Sequence, residues 1–228
     1  MSNVGFRQYN RIKRADKNLV EMFRGIPTPN IDDNMNRMFS LRGLMPYNKT
    51  PLLGTAFTVR VAAGNNLMFN RAIDLAQPGD VIVVDGGGYT ERALCGEIMM
   101  SHAKKRGIAG FVIRDESLTM EERGEAVSEM EFPVYALGQN PNGPMKNGPG
   151  EINTPVVCGG MAIMPGDILV GDADGLVVIR PEDAKEVAEK ALKQNEAERN
   201  LLKIIDEGKW DRSNFAVTLE KMGCEIID

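Results

Sequence analysis

The stretch from Pro78 to Ile113 is the strongest constraint on what this chain can fold into. A Pro-Gly pair leads into an uninterrupted apolar run, Val81-Ile82-Val83-Val84, the pattern of a strand buried on both faces. Asp85 and three glycines, Gly86, Gly87 and Gly88, follow. A helix is predicted from about 90 to 105, closed by Gly107, and a second apolar run then spans 109–113. Strand, helix, strand makes a βαβ unit, and the right-handed crossover places both strands in one sheet. The fold class is therefore α/β.

The flanking sequence fills in around that unit. Ile12, Ala15, Leu19, Met22 and Phe23 fall on one stripe and predict a helix over 8–25, ended by Pro27 and Pro29. Asp32, Asp33 and Asn34 suit the opening of a short second helix. Alternation of Phe57, Val59 and Val61 with Thr58 and Arg60 predicts a strand over 54–62. A turn at Gly64-Asn65-Asn66 and a helix over 67–77 come next. The acidic segment 119–129 reads as helical, 132–137 as a strand, and the Gly-, Pro- and Asn-rich segment 138–150 as a long loop of the functional kind. Pro165-Gly166-Asp167 and its apolar run echo Pro78-Gly79-Asp80, which suggests two comparable strands in one barrel-like or sandwich core; 176–179 adds another. Pro181 opens a long charged helix that reaches Glu207 and stops at Gly208. That helix reads as a solvated outer helix or a subunit contact. No composition break marks a linker, so 1–228 is read as a single domain, with an N-terminal helix 8–25 and a C-terminal helical region 181–223.

Charge and cysteine usage exclude several function classes. With 32 acidic and 27 basic residues the chain is mildly acidic, which disfavours a phosphate-backbone binder and a nucleic-acid partner. Three cysteines, Cys95, Cys158 and Cys224, show no CxxC spacing, and an odd count without a signal peptide points to the reducing cytoplasm. No apolar run is long enough to span a membrane, so no membrane partner is expected. The single histidine, His102, has Ile98 and Met99 a turn behind it and reads as packed and hydrogen-bonded rather than catalytic.

A few residues carry potential chemistry. The glycines 86–88 stand between a strand and a helix, where backbone amides converge on an anion or simply make a tight turn. They match neither the dinucleotide fingerprint nor the P-loop. Glu97 lies on the following helix. Arg114, Asp115 and Glu116 end the second strand, the place where α/β sheets collect ligands. They suit either an oxygen-ligated metal with an acidic substrate or a surface ion-pair cluster. The loop 143–151 carries one cation, Lys146.

Four stretches, GNNLMFNRAIDLAQPGDVIVVDGGG, ALCGEIMMSHAKKRGIAGFVI, GPMKNGPGEINTPV and PGDILVGDADGLVV, together resemble one known family. It holds the 4-hydroxy-4-methyl-2-oxoglutarate and 4-carboxy-4-hydroxy-2-oxoadipate aldolases and the regulator of ribonuclease E activity. The likeness runs from about Ile31 to the C-terminus. It implies an αββα sandwich with a central barrel-like mixed sheet, related to swivelling phosphohistidine-type domains. It also implies a homotrimer or homohexamer with sites between subunits. In the aldolases a divalent metal, Mg²⁺ or Mn²⁺, and an arginine hold the α-keto acid end of a small oxo-acid, and cleavage releases pyruvate.

Carried over by residue, the resemblance places Glu97 at the catalytic acidic position and Gly96, Glu97, Ile98 and Met99 at the segment whose backbone amides hold the substrate carboxylate. Asn66 and Lys146 join the substrate contacts. The family signature is an acidic residue, twenty intervening residues, then Arg-Asp; counted from Glu97, those positions hold Leu118 and Thr119. Metal ligands are then sought at Thr119, Asp115, Glu116 and Glu122, and Arg114 is the candidate to replace the absent arginine. Asn65 and Asn70 stand where relatives often carry Asp and His. Two readings follow: a pyruvate-releasing lyase with an altered site, or a non-catalytic homologue that kept the scaffold.

Overall fold

The computed structural model describes residues 2–118, 130–225 and 227, with 115–118 described by their backbone alone. In chain order the elements begin with β1 (Phe6–Gln8), α1 (Lys17–Glu21), α2 (Thr28–Asp33), β2 (Ser40–Leu41), β3 (Met45–Pro46) and β4 (Leu52–Val61). Then come α3 (Leu67–Leu75), β5 (Asp80–Asp85), α4 (Glu97–Lys105), β6 (Gly110–Leu118) and β7 (Val134–Gln139). The chain continues through β8 (Gly150–Ile152), β9 (Val156–Cys158), β10 (Met161–Ile163), β11 (Ile168–Gly171) and β12 (Leu176–Ile179). Two helices follow, α5 (Ala184–Asp206) and α6 (Ser213–Lys221).

The βαβ expectation holds: β4, β5, β6 and β7 lie side by side and parallel, with α3 and α4 as crossovers. Antiparallel β11, β12 and β2 extend the sheet beyond β4, and β3 closes its far edge on β7. Alternation along the strands separates two faces. Ile82, Val84, Phe111 and Ile113 pack beneath α3 and α4. Val81, Val83, Val112, Tyr135 and Leu169 point to the other side, where they meet Val156, Cys158 and Ile163 of β9 and β10. Ile168, Val170, Val177 and Ile179 pack outward against α1, α2 and α5. The sheet thus curls into a half-barrel with helices on both outer sides, the αββα sandwich in outline. Under α3, Phe69, Phe111 and Phe132 meet edge to face with centroids 4.9 Å apart at each contact, the preferred geometry for aromatic pairs.

The echoed Pro-Gly-Asp turns are the same device used twice. Asp80 and Asp167 are both buried, and each accepts a backbone N–H from three residues earlier, Gln77 and Met164 at 2.8 Å. Each also holds an arginine, Arg14 in a two-pronged pair at 2.7 and 2.8 Å and Arg180 in a close contact. The strands they open, β5 and β11, flank β4 on opposite sides, so Thr55 has Asp80 on one edge and Ile168 on the other. Gly54 of β4 runs so close to the first turn that a Cβ there would lie 2.4 Å from the Gly79 carbonyl oxygen.

Several sequence expectations are corrected. The helix expected over 8–25 is confined to Lys17–Glu21, because 6–10 instead run along β8 and Arg14 must reach Asp80. Pro29 does not end a helix but starts one: α2 begins at Thr28, and 31–34 close it. The helix expected from 90 starts at Glu97, since 90–93 bond to the loop after β7. His102 is 55% exposed, with its nearest carboxylate, Asp74, at 3.9 Å, because α4 buries Met100 and Ala103 and turns His102 outward. The helix expected over 119–129 lies outside the described residues. Among them, no helix is long and apolar enough to cross a membrane.

Asp80→Asn should remove the charge on which Arg14 is held. Because Arg14 keeps about a quarter of its side chain in water, the expected loss is about 2 kcal/mol, less than for a wholly buried pair, read from urea unfolding at neutral pH. Gly54→Ala should cost about 1–3 kcal/mol in the same measurement, since the obstacle is backbone and cannot swing away.

Candidate functional site

The carboxyl ends of β4, β5 and β7 lead into three segments, 62–66, 86–96 and 139–149, which meet at one rim. The first turns through Asn65, whose N–H bonds the Ala62 carbonyl at 2.9 Å. Asn66 N–H donates to the Met145 carbonyl and Met145 N–H to the Gly64 carbonyl, each at 2.9 Å. The second segment bonds the third: Ala93 N–H to the Asn142 carbonyl, Arg92 Nη1 to the Gly143 carbonyl and Asn140 Nδ2 to the Thr90 carbonyl. Gly148 is needed where it stands, because a Cβ there would lie 2.5 Å from the Asn65 amide group.

This rim surrounds the start of α4. Gly96 is its N-cap and brings no side chain, so no side-chain cap forms, and the first intrahelical bond is Met100 N–H to the Gly96 carbonyl. Helix geometry leaves the N–H groups of Glu97, Ile98 and Met99 without acceptors in the helix, on the end that carries the positive dipole. Beside them, Asn66 is 3% exposed. Its Nδ2 donates to the Leu94 carbonyl at 3.0 Å and approaches Met99 Sδ at 3.4 Å, while its Oδ1 is buried without a partner. An anion suits the amides, and a hydroxyl or water suits the orphaned carbonyl. Gly96, Glu97, Ile98, Met99 and Asn66 are therefore brought together. Glu97 and Ile98 are exposed at the mouth, and Lys146 is exposed in the loop that bonds Asn66.

Arg114 lies elsewhere. It occupies the half-barrel face of β6, in the alternation that places Val112 inside, and its Nη1 is 3.2 Å from Asp85 Oδ1 and 3.4 Å from the Val157 carbonyl. Asp85 Oδ1 also accepts from Gly87 N–H at 3.0 Å, and Oδ2 accepts from Val157 N–H at 3.1 Å. The Gly87 amide, one of those considered for an anion, thus already serves a carboxylate of the chain itself. The sequence reading missed this Asp85 junction and the β9–β10 hairpin that completes it. The signal was present in Gly159-Gly160, a two-residue turn between two apolar runs.

Beyond Ile113, β6 shifts register against β7 twice, between Ile113 and Glu116 and between Glu116 and Leu118. Asp115, Glu116 and Leu118 are placed on this irregular strand by their backbone. Thr119 and Glu122 lie outside the described residues. Among the described residues no three His, Cys, Asp or Glu side chains converge as a metal site. Glu97 is the one side chain of the expected ligand and catalytic carboxylates that is described, so the described side chains alone do not make a divalent-cation site.

Residues 28–178 match the family profile described as RraA-like, Aldolase/RraA, and the chain belongs to that family. It is 38% identical over 185 residues to a Halalkalibacterium halodurans protein named "Putative 4-hydroxy-4-methyl-2-oxoglutarate aldolase", covering 80% of this chain and 86% of that one. The fold is shared with an uncharacterised protein of Pseudomonas syringae pv. tomato (TM-score 0.76, 24% identity, 86% of this chain and 96% of that one). It is also shared with Streptomyces coelicolor RraAS2, described as an unusual member of the RNase ES inhibitor RraA protein family (TM-score 0.73, 23% identity, 83% and 98% covered).

Cys95, next to this segment, and Cys158 are buried, and burial pushes the Cys95 thiol up to about 12. A thiol in that state is protonated and unreactive at pH 8. In a Cys224→Ser variant, Ellman's reagent should therefore find no fast thiol in the native protein and two after denaturation; a fast native thiol would show that the rim opens to expose Cys95 or Cys158.

Proposed function

We propose that this chain is a lyase of the 4-hydroxy-4-methyl-2-oxoglutarate aldolase type, which holds the carboxylate of a small oxo-acid on the first turn of α4 and releases pyruvate by retro-aldol cleavage or decarboxylation. The observation that carries this reading is the uncapped start of α4 beside the buried, unpartnered Asn66 carbonyl. The amides of Glu97, Ile98 and Met99 bind and orient the carboxylate. Asn66 Oδ1 accepts a hydrogen bond from a substrate hydroxyl or from a water that travels with it. Lys146 adds a cation at the mouth. In this family reading Glu97, with Asp115, Glu116, Thr119 or Glu122, would hold Mg²⁺ or Mn²⁺, which would supply an electrophile for the enolate charge.

A second reading, a non-catalytic anion-binding or regulatory homologue, is favoured by one specific feature: Leu118 and Thr119 stand at the Arg-Asp positions. Losing one oxyanion-stabilising donor costs about 3–4 kcal/mol of transition-state stabilisation, and neither side chain replaces an arginine or a carboxylate. Arg114 is a weak substitute, because Asp85 already holds it.

Pyruvate release from oxaloacetate and branched hydroxy-oxo-diacids, with and without Mn²⁺, separates the two readings; no release from any of them favours the second. Leu118→Arg with Thr119→Asp should raise the release by about tenfold or more, and either change alone should do much less, since both groups act on the same developing charge.

The binding step has its own test. Glu97→Pro deletes one amide at a position where proline fits the first helical turn, and Gly96 is already extended, as a residue before proline must be. Compared with Glu97→Ala, it should weaken oxalate or pyruvate binding about tenfold in calorimetry. Equal affinity in the two variants would remove the amides from the site.

A further inference from the structure

The half-barrel side of the strand ends carries charges that the first turn of α4 does not use. On β4, β5 and β6, Val59, Val61, Val84 and Ile113 pack toward α3 and α4. Alternation then turns Arg60, Asp85 and Arg114 to the half-barrel side. Arg60 is the register partner of Asp85, and Arg114 follows Ile113, the partner of Val84. The three therefore stand in one row across adjacent strands, in the order positive, negative, positive. Strand spacing sets the Cα atoms of the two arginines roughly 10 Å apart, with Asp85 between them.

The charges of this row are unevenly answered. Asp85 is nearly buried, and both of its oxygens are engaged: Oδ1 by Gly87 N–H and Arg114 Nη1, Oδ2 by Val157 N–H. It makes no use of Arg60. Arg60 is exposed and forms no ion pair or side-chain hydrogen bond among the described residues. On the other side of Arg60 the row continues through Glu151 of β8 to Arg7 of β1, and Glu151 is ion-paired with neither. Arg114 spends Nη1 on Asp85 and the Val157 carbonyl, which leaves Nε and Nη2, and its side chain is 35% exposed.

We propose that Arg60 and Arg114 clamp the two ends of a small dicarboxylate across Asp85, at a site separate from the first turn of α4. A guanidinium fork matches a carboxylate with two parallel hydrogen bonds, and there is one fork for each end. Asp85 decides the class of ligand. A compact dianion such as phosphate, centred between the arginines, lies over the Asp85 charge and is repelled by it. A diacid of roughly four or five carbons instead places its carboxylates over the arginines and its methylenes over Asp85. A monoacid engages one fork only. Glu151 stands beyond Arg60, outside the clamp. The row is on the half-barrel side of the sheet and the α4 amides are on the outer side, so the two sites do not compete.

The test is calorimetric titration of succinate into the full chain, with acetate and inorganic phosphate as comparators. It is run on the parent and on Glu97→Pro, which acts on α4 and leaves the row untouched. In both, succinate should bind about tenfold or more tighter than acetate or phosphate at this site. Arg60→Gln, at an exposed position, should keep the circular dichroism and unfolding profile of the parent. It should weaken succinate about tenfold or more in either background and bring it level with acetate. Succinate should also raise the unfolding temperature of the parent and not that of Arg60→Gln. Absence of succinate binding to the parent, or an affinity that Arg60→Gln leaves unchanged, overturns the proposal. Phosphate binding as tightly as succinate overturns the assignment to a diacid. Loss of succinate with Glu97→Pro but not with Arg60→Gln would return all carboxylate binding to α4 and overturn the second site while leaving the proposed lyase reading intact.

Discussion

Strand β4 is bonded along both edges, in parallel to β5 and antiparallel to β11, and its far end also pairs with β8. The rest of the structure depends on that double commitment. A strand that is parallel to one neighbour and antiparallel to the other joins a βαβ layer to a meander, and the right-handed twist carried across the junction curls the whole into a half-barrel. The buried carboxylates Asp80 and Asp167 set the heights of the two neighbours on either side of β4, each through a backbone N–H and an arginine. With those heights set, the carboxyl ends of the parallel strands fall at one level, and the segments that leave them meet as a rim.

The parts of the fold legible in the sequence are those where local pattern and tertiary environment agree. The runs 81–84 and 109–113 are apolar on both faces because they are covered on both faces, and nothing competes with that signal. The two Pro-Gly-Asp turns are legible for a related reason: proline and glycine fix the turn, and the aspartate caps it. The N-terminal helix was misjudged because its periodicity, though real, lost to pairing with β8 and to the reach of Arg14. The composition of 90–94 is that of a first helical turn and predicts α4 seven residues early, but the hydrogen bonds of 90–93 go to 140–143 and that of the Leu94 carbonyl to Asn66.

For the site, the family resemblance pointed to the amide segment 96–99 and patterning to the turn holding Asn66, and these do come together. Neither reached the Asp85 junction, because apart from the Gly87 amide the partners of Asp85 lie 29 and 72 residues away and leave no local trace. That junction matters to any account of the chemistry. Arg114 and Asp85 continue the inward-facing rows of β6 and β5, so they close the end of the half-barrel, while the uncapped turn of α4 stands on the outer side of the same strands. The departure from the family signature at Leu118 falls where β6 has shifted register against β7 twice, although Leu118 itself still pairs with Gln139.

The rim segments 62–66, 86–96 and 139–149 are tied chiefly to one another: carbonyls of the last accept from Asn66, Arg92 and Ala93, and its Asn140 side chain donates back to Thr90. Their stiffness is thus a property of a closed ring rather than of any one loop. An insertion or deletion in one segment would leave buried donors of another without acceptors, so loop lengths here can change only in concert.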